Sequence, residues 1–154
     1  MLGGERAIIV RKPGYKGFID DVRKQFKSAG EAFLYYEGYN AGIEYGKAHR
    51  KLAEKLGIRD PIQIIYKVLA PLFTSTGFGR LEVVRVNLNP PEVTIRIYNN
   101  FECEEGIGAG KPYSQWVRGS IAGIFTSILN IEVKAIETKC IAKGDPYCEF
   151  EIIK

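Results

Sequence analysis

The sequence predicts a single α+β domain in which helices pack on a mainly antiparallel sheet of about four to five strands. Helical patterns fill the first half of the chain, whereas β-rich segments separated by turns dominate the second half. The chain has 154 residues, the size of one domain, so we expect residues 1–154 to form one unit. An apolar fraction of 45% and a charged fraction of 26% are ordinary for a soluble globular protein.

We expect the chain to open on a short strand. Residues 6–10 are rich in β-branched side chains, and the Lys-Pro-Gly sequence that follows predicts a turn. Apolar residues at helical spacing then predict a helix over residues 15–26 and a longer one over residues 30–56, which Gly57 would end.

A third helix is predicted directly after Asp60. This residue is a good N-cap, and Pro61 suits the first helical position. The helix should run to about Phe73, with a kink or an end at Pro71, which lacks a backbone N–H.

The second half of the chain is expected to supply most of the sheet. Turn residues separate its β-rich segments, and the last two should form a C-terminal hairpin. A Gly-rich loop and one apolar helix interrupt them. The predicted elements are strands at 81–88 and 93–98, a loop at 104–111, a helix at 113–129, and strands at 132–141 and 147–153.

Glycines recur at helical spacing in two of these helices. Gly38, Gly42 and Gly46 lie on one face of the long helix, and Gly119 and Gly123 repeat the pattern in the later helix. Each glycine inside a helix costs roughly 1 kcal/mol relative to alanine, so something should approach these faces closely. It could be a ligand or a second subunit, but we favour close packing of the two helices against each other.

Charge and hydropathy exclude several classes of protein. The net charge is +4 and the basic residues are spread along the chain, which does not favour a nucleic-acid-binding surface. The sequence has no run of about 18 apolar residues that could span a membrane. Residues 1–5 lack the apolar core of a secretory signal, so we expect a cytoplasmic protein with reduced thiols.

The strongest chemical signal lies near the C-terminus. Glu137, Cys140 and Cys148 flank a predicted turn, and two thiolates with one carboxylate are suitable zinc ligands. Side chains alternate along a strand, so Glu137 and Cys140 can converge only at a bulge or at a strand end near Lys139. The residues alone leave two alternatives, which are three buried free cysteines including Cys103, or a Cys140–Cys148 disulfide.

The pattern Gly119-x3-Gly123 followed by Glu137-x2-Cys140-x3-Gly144-x3-Cys148-x-Phe150 resembles the 4-vinyl-reductase domain family. That family is related to the sensory domains of phenol-responsive transcription regulators and to TRAPP vesicle-tethering subunits. The resemblance implies a TRAPP-like, NO-signalling ligand-binding fold with a zinc site. It also implies an enclosed cavity for an apolar, hydrocarbon-like or aromatic small molecule, and a homodimer.

The resemblance also implies which residues hold the zinc. The ligands carried over by position are Glu137, Cys140 and Cys148. The fourth ligand of the family is a cysteine just before a tryptophan, but Ser114 and Gln115 precede Trp116 in this sequence. We expect Cys103 to replace it, with Ser114 or water as the alternatives.

Aromatic residues near the glycine faces predict the ligand pocket. Such a stripe also suits an ordinary core, and the resemblance favours a cavity. His49, the only histidine, lies in a basic run and is expected to be solvated. The predicted pocket residues are Phe33, Tyr36, Tyr39, Ile43, Trp116 and Phe125.

These observations favour a zinc-containing small-molecule-binding or sensory domain without catalysis. The sequence holds no nucleophile elbow, phosphate-binding loop or dinucleotide fingerprint, so we do not predict an enzyme. One alternative is a TRAPP-like interaction or assembly subunit. Another is a zinc-dependent enzyme, which requires water rather than Cys103 at the fourth position.

Overall fold

The computed structural model describes residues 6–154, and within this range four strands form one antiparallel sheet. The strands are β1 (Arg80–Leu88), β2 (Pro91–Tyr98), β3 (Lys134–Lys139) and β4 (Cys148–Ile153). Their order across the sheet is β1-β2-β4-β3, so the last strand of the chain lies between β2 and β3. The predicted fold class is confirmed. What was expected from residues 1–5 lies outside the described range.

Alternation along β2 explains why this strand is central. Val93, Ile95 and Ile97 are almost fully buried, while their neighbours in the strand are half-buried. β2 pairs with β1 on one side and with β4 on the other. An apolar face with period two requires a covering layer, and helices supply it. The helices are α1 (Lys12–Lys55), α2 (Pro61–Ile64), α3 (Ala70–Ser75), α4 (Phe101–Glu104) and α5 (Gln115–Leu129).

Helix α1 consists of two arms that meet at Lys27, whose φ of 50° and ψ of −121° are not helical. The two arms match the two helices predicted for this region. The Arg23 Nε and Glu31 Oε1 atoms are 3.1 Å apart. Eight residues of straight helix would span about 12 Å, so the kink folds the first arm back towards the second.

The glycines of α1 and α5 allow the two helices to touch through their backbones. A Cβ on Gly38 would overlap the Trp116 carbonyl oxygen, and one on Gly42 would overlap the Ser120 carbonyl oxygen. A Cβ on Gly119 would overlap the carbonyl oxygen of Tyr35 in the opposite direction. The expected close packing of the two glycine faces is confirmed.

Pro71 does not end its helix. The chain stays helical from α2 to α3 through a π-helical turn, Ile65–Leu69, in which the Ala70 N–H donates to the Ile65 carbonyl oxygen. Because proline provides no N–H, widening the preceding turn lets the helix continue without that hydrogen bond. The predicted N-cap is confirmed, since the Asp60 carboxylate accepts hydrogen bonds from two backbone N–H groups.

The strand predicted at residues 6–10 is wrong. These residues have no regular secondary structure, and Ile8 and Ile9 are 82% and 96% exposed. A β-branched run becomes a strand only beside a partner strand, and none pairs with it in the described part of the chain. No helix in residues 6–154 combines the length and apolar character needed to cross a bilayer.

Candidate metal centre

Three separate parts of the fold bring four metal-ligating side chains together. Cys103 belongs to α4, Glu137 to β3, Cys140 follows the end of β3, and Cys148 begins β4. One ligand atom from each of the four lies within 4.8 Å of all the others. These are the four residues predicted to bind metal, and together they could hold one ion.

A local irregularity of β3 solves the problem of alternating side chains. The pairing of β3 with β4 shifts register between Glu137 and Lys139, and the strand ends at Lys139. The carboxylate of Asp145 accepts a hydrogen bond of 2.8 Å from the Cys140 N–H, which fixes the turn that follows. The predicted bulge and strand end are therefore both present, and they turn Glu137 and Cys140 towards one point.

The distances within the cluster suit a tetrahedral ion. The Sγ atoms of Cys103 and Cys140 are 3.4 Å apart, and Cys103 Sγ is 3.7 Å from Glu137 Oε1. Four ligands placed about 2.0–2.3 Å from one ion would be about 3.3–3.8 Å from each other. The protein therefore presents the ligand atoms at nearly the required separations.

Burial makes the cluster chemically demanding. Burial raises the pKa of Glu137 to about 8, with a further contribution from the nearby Cys140 thiolate. The Cys103 thiol donates to Cys140, so this contact raises the pKa of Cys103 and lowers that of Cys140. Among the described residues, Glu137 Oε2 has no hydrogen-bond partner although it is buried. A cation at the centre would supply that partner and stabilise the thiolates.

All three cysteines are buried free thiols, so the alternative of a Cys140–Cys148 disulfide is wrong. The hydroxyl of Ser114 is buried as well and lowers the pKa of Glu137 from nearby. The metal-ligating group, however, comprises Cys103 rather than Ser114. This arrangement agrees with the expected replacement of the upstream cysteine.

Glu102 is a buried carboxylate that the sequence analysis missed. It accepts hydrogen bonds from the N–H groups of Trp116 and Val117, at 3.3 and 2.9 Å, and from Arg23 Nη2 at 2.9 Å. Burial raises its pKa to about 7, against the lowering effect of these donors. Glu102 thus fixes the start of α5 and the first arm of α1 to the residue beside Cys103. The only sequence signal for it was the N-cap Asn100 two residues earlier.

The six predicted pocket residues occupy different environments. Phe33 and Tyr36 are 52% and 65% exposed on α1, while Trp116 and Phe125 are buried in α5. Trp116 packs edge-on against other aromatic rings, including those of Tyr15 and Phe78. The structure therefore does not gather the six around one cavity. The other two, Tyr39 and Ile43, are half-buried.

His49 is half-buried, so the expectation of a solvated histidine is wrong. Its Nδ1 atom is buried and lacks a hydrogen-bond partner among residues 6–154. Burial lowers its pKa to about 4. The basic run around it suggested a solvated face, but the kink and the helix pairing that bury one side of α1 are tertiary features.

The metal-ligating side chains all fall in the part of the chain that a family model identifies. The model of the 4-vinyl-reductase domain, abbreviated as the V-4-R domain, matches residues 93–154. This part of the chain is a 4-vinyl-reductase domain. The resemblance to that family is thereby confirmed, and the domain spans β2, α4, α5, β3 and β4.

Two uncharacterized proteins of Methanocaldococcus jannaschii are related to this chain in sequence. One is 26% identical over 86% of the chain, and the other is 31% identical over 73% of it. The matched region spans 70% of the first relative and 60% of the second.

Three solved structures share the fold. The phenol-responsive sensory domain of the transcription activator PoxR, solved with phenol, superposes with a TM-score of 0.84 at 12% identity, covering 97% of this chain and 77% of that one. A trafficking protein particle complex subunit 3 from Naegleria fowleri, covalently bound to palmitic acid, gives 0.62 at 18% identity, with 92% and 91% covered. A vinyl-4-reductase family protein from M. jannaschii gives 0.58 at 22% identity, with 96% and 83% covered.

Proposed function

We propose that this protein is a non-catalytic small-molecule-binding or sensory module that carries one structural zinc ion. The observation that carries the proposal is the cluster of Cys103, Glu137, Cys140 and Cys148, whose ligand atoms lie within 4.8 Å of one another. The 4-vinyl-reductase domain and the fold shared with the phenol-responsive domain of PoxR support the binding role.

Zinc suits this donor set better than other common ions do. Three thiolates and one carboxylate are soft and borderline ligands in a tetrahedral arrangement, whereas magnesium and calcium prefer six or more oxygen ligands. Four protein ligands would leave no coordination position for a reacting water molecule. This supports a structural ion rather than an enzyme, because a catalytic zinc keeps one position open.

The ligand we propose is an apolar small molecule, either aromatic or hydrocarbon-like. Trp116 and Phe125 are the predicted pocket residues that lie in the interior, so they are the ones most suited to line an enclosed site. The phenol of the PoxR domain and the palmitic acid of the Naegleria subunit, both named for proteins of this fold, support an apolar ligand.

Homodimerisation belongs to the same proposal. Phe33 and Tyr36 are exposed aromatic side chains on the second arm of α1, and a second copy could cover them. We also propose a cytoplasmic location, because three reduced cysteines are required for metal binding and reducing compartments maintain them.

Elemental analysis of protein purified without added metal tests the zinc proposal. We expect about one zinc ion per chain, and no comparable amount of iron, nickel or copper. Calorimetric titration with phenol and with toluene tests the binding role, and both should bind if an apolar site exists. Protein that lacks metal and binds neither compound would contradict the proposed function.

A further inference from the structure

A groove of about 640 Å³ lies where the end of α1 meets the C-terminal end of α5. Its volume falls within the range of roughly 300–1,000 Å³ that is typical of small-molecule sites. The groove reaches Ile128, which is twelve residues along α5 from Trp116. Twelve helical residues span about 18 Å, so the groove lies at the opposite end of α5 from the metal centre.

Apolar side chains from three parts of the fold line this groove. Ile58 follows α1, Ile64 ends α2, and Ile128 and Leu129 end α5. Ile64 and Ile128 are each only 5% exposed, which anchors the lining to the core. A hydrocarbon or aromatic group placed here would leave water and contact these side chains.

Charged side chains at the same groove carry a net positive charge. Arg50, Arg59 and Glu54 line it, so the cations exceed the anion by one. Neither arginine forms an ion pair within residues 6–154. Arg50 Nη1 donates to the Ser127 carbonyl oxygen at 3.2 Å, whereas Arg59 is exposed. Free guanidinium groups beside an apolar lining suit a ligand with an acidic head and an apolar body.

The helix beside the groove has an unusual conformation. The π-helical turn Ile65–Leu69 begins immediately after the lining residue Ile64. Such turns occur frequently at functional sites because they displace side chains from regular helical positions. The turn therefore supports a binding role for this end of the molecule.

We propose that this groove binds a small organic anion with an apolar body, such as a medium-chain carboxylate. Its apolar part would lie on the isoleucine and leucine side chains, and its carboxylate would pair with Arg59 and Arg50. This site goes beyond the proposed function, since it needs neither the zinc ion nor the interior pocket around Trp116.

Calorimetric titration of the full chain with octanoate, 1-octanol and octylamine tests this inference. We expect octanoate to bind the unaltered protein more tightly than the neutral alcohol does. Loss of one partly exposed charge in Arg59→Ala should weaken octanoate binding by about fivefold. Charge reversal in Arg59→Glu should weaken it by about tenfold or more and should improve binding of octylamine. Binding of 1-octanol should hardly change in either variant.

Lys51→Ala is the matched control, because Lys51 is an exposed cation on α1 that does not line the groove. It should bind octanoate as the unaltered protein does. If octanoate does not bind, or binds both Arg59 variants unchanged, the groove inference fails. The zinc and phenol measurements report on the proposed function separately, so either proposal can fail while the other stands.

Discussion

Glu137 is the one oxygen ligand in a cluster of thiols, and its surroundings suit a bound cation. Its carboxylate is largely withdrawn from water, and one oxygen lacks a hydrogen-bond partner in the described structure. Burial of an unpaired carboxylate is costly, so without a metal the group would remain protonated near neutral pH.

Replacing Glu137 by glutamine should weaken zinc binding by at least tenfold, because a neutral amide is a poorer ligand than a carboxylate. Competition with a chromogenic zinc chelator measures this change. Glu132→Gln is the control, because Glu132 is an exposed residue of the same region that is absent from the cluster. Equal zinc affinity in the two variants would show that Glu137 is not a ligand.

His49 affects stability through its protonation. Burial lowers its pKa in the folded protein to about 4, below the ordinary value of 6.5 that applies to the unfolded chain. Between these two values the unfolded chain binds the proton and the folded protein does not. Folding is therefore favoured fully above about pH 6.5, and this contribution is lost as the pH falls towards 4.

His49→Gln should remove this part of the pH dependence. The unaltered protein should lose about 2 kcal/mol more of its unfolding free energy than the variant does between pH 7 and pH 4. Urea denaturation at several pH values measures the difference between the two curves, in which the shared contribution of the carboxyl groups cancels. Parallel curves would show that His49 is accessible to protons in the folded state.

At the scale of elements, the contact between α1 and α5 depends on missing side chains. Gly42 lies against the backbone of Ser120, which cannot move aside as a flexible side chain could. Gly17, in the first arm of α1, has no atom within 4 Å of the position where a Cβ would lie.

Gly42→Ala should destabilise the protein by about 1–3 kcal/mol, because overpacking outweighs the better helix propensity of alanine. Gly17→Ala should instead stabilise it, by up to about 1 kcal/mol. Thermal unfolding of both variants provides the comparison. Stabilisation by both substitutions would indicate that the two helices are farther apart than the structure places them.

The kink at Lys27 sets where the first arm of α1 lies. Its φ of 50° is in the left-handed region that favours glycine. Ion pairs hold the arm in place, including that between Arg23 and the buried Glu102. The arm therefore stays folded back although one of its residues has an unfavourable conformation.

Lys27→Gly should leave stability unchanged or raise it by up to about 1 kcal/mol, because glycine adopts this conformation without strain. Lys24→Gly should lower stability by about 1 kcal/mol, since Lys24 is exposed within regular helix. Chemical denaturation measures both. If the two substitutions destabilise equally, α1 runs straight through Lys27 in solution.

At the scale of the whole molecule, the metal centre joins parts of the chain that are distant in sequence. Cys103 and Cys148 are separated by 45 residues, and the cluster connects α4 with the β3–β4 hairpin. Glu102 then connects α4 to α5 and to the first arm of α1. A bound ion would therefore stabilise most of the 4-vinyl-reductase domain at once.

Removal of metal by a strong chelator should lower the melting temperature by about 10 °C or more, because ligation free energy contributes to folding. Differential scanning calorimetry before and after chelation measures this shift. Glu137→Gln, which should hold little zinc, provides the control and should respond much less. An unchanged melting temperature of the metal-free protein would contradict a structural role for the ion.

Much of the fold could be predicted because local patterns determine it. The alternation in β2, the Asp60 N-cap and the glycine spacing each depend on neighbouring residues, and all three predictions agree with the structure. The strand at residues 6–10 failed because a strand depends on a partner that the sequence does not specify. The continuation past Pro71 was not predicted because the π-helical turn is a response to packing.

The sequence by itself determined the elements, the family pattern and the residue types of the metal cluster, because spacing and side-chain chemistry are properties of the chain. Only the tertiary structure decided that Cys103 joins Glu137, Cys140 and Cys148, that Glu102 is buried, and that the predicted pocket residues are dispersed. Each of these depends on contacts between residues far apart in the chain. Such contacts are fixed by how helices and sheet pack, and local spacing does not encode that packing.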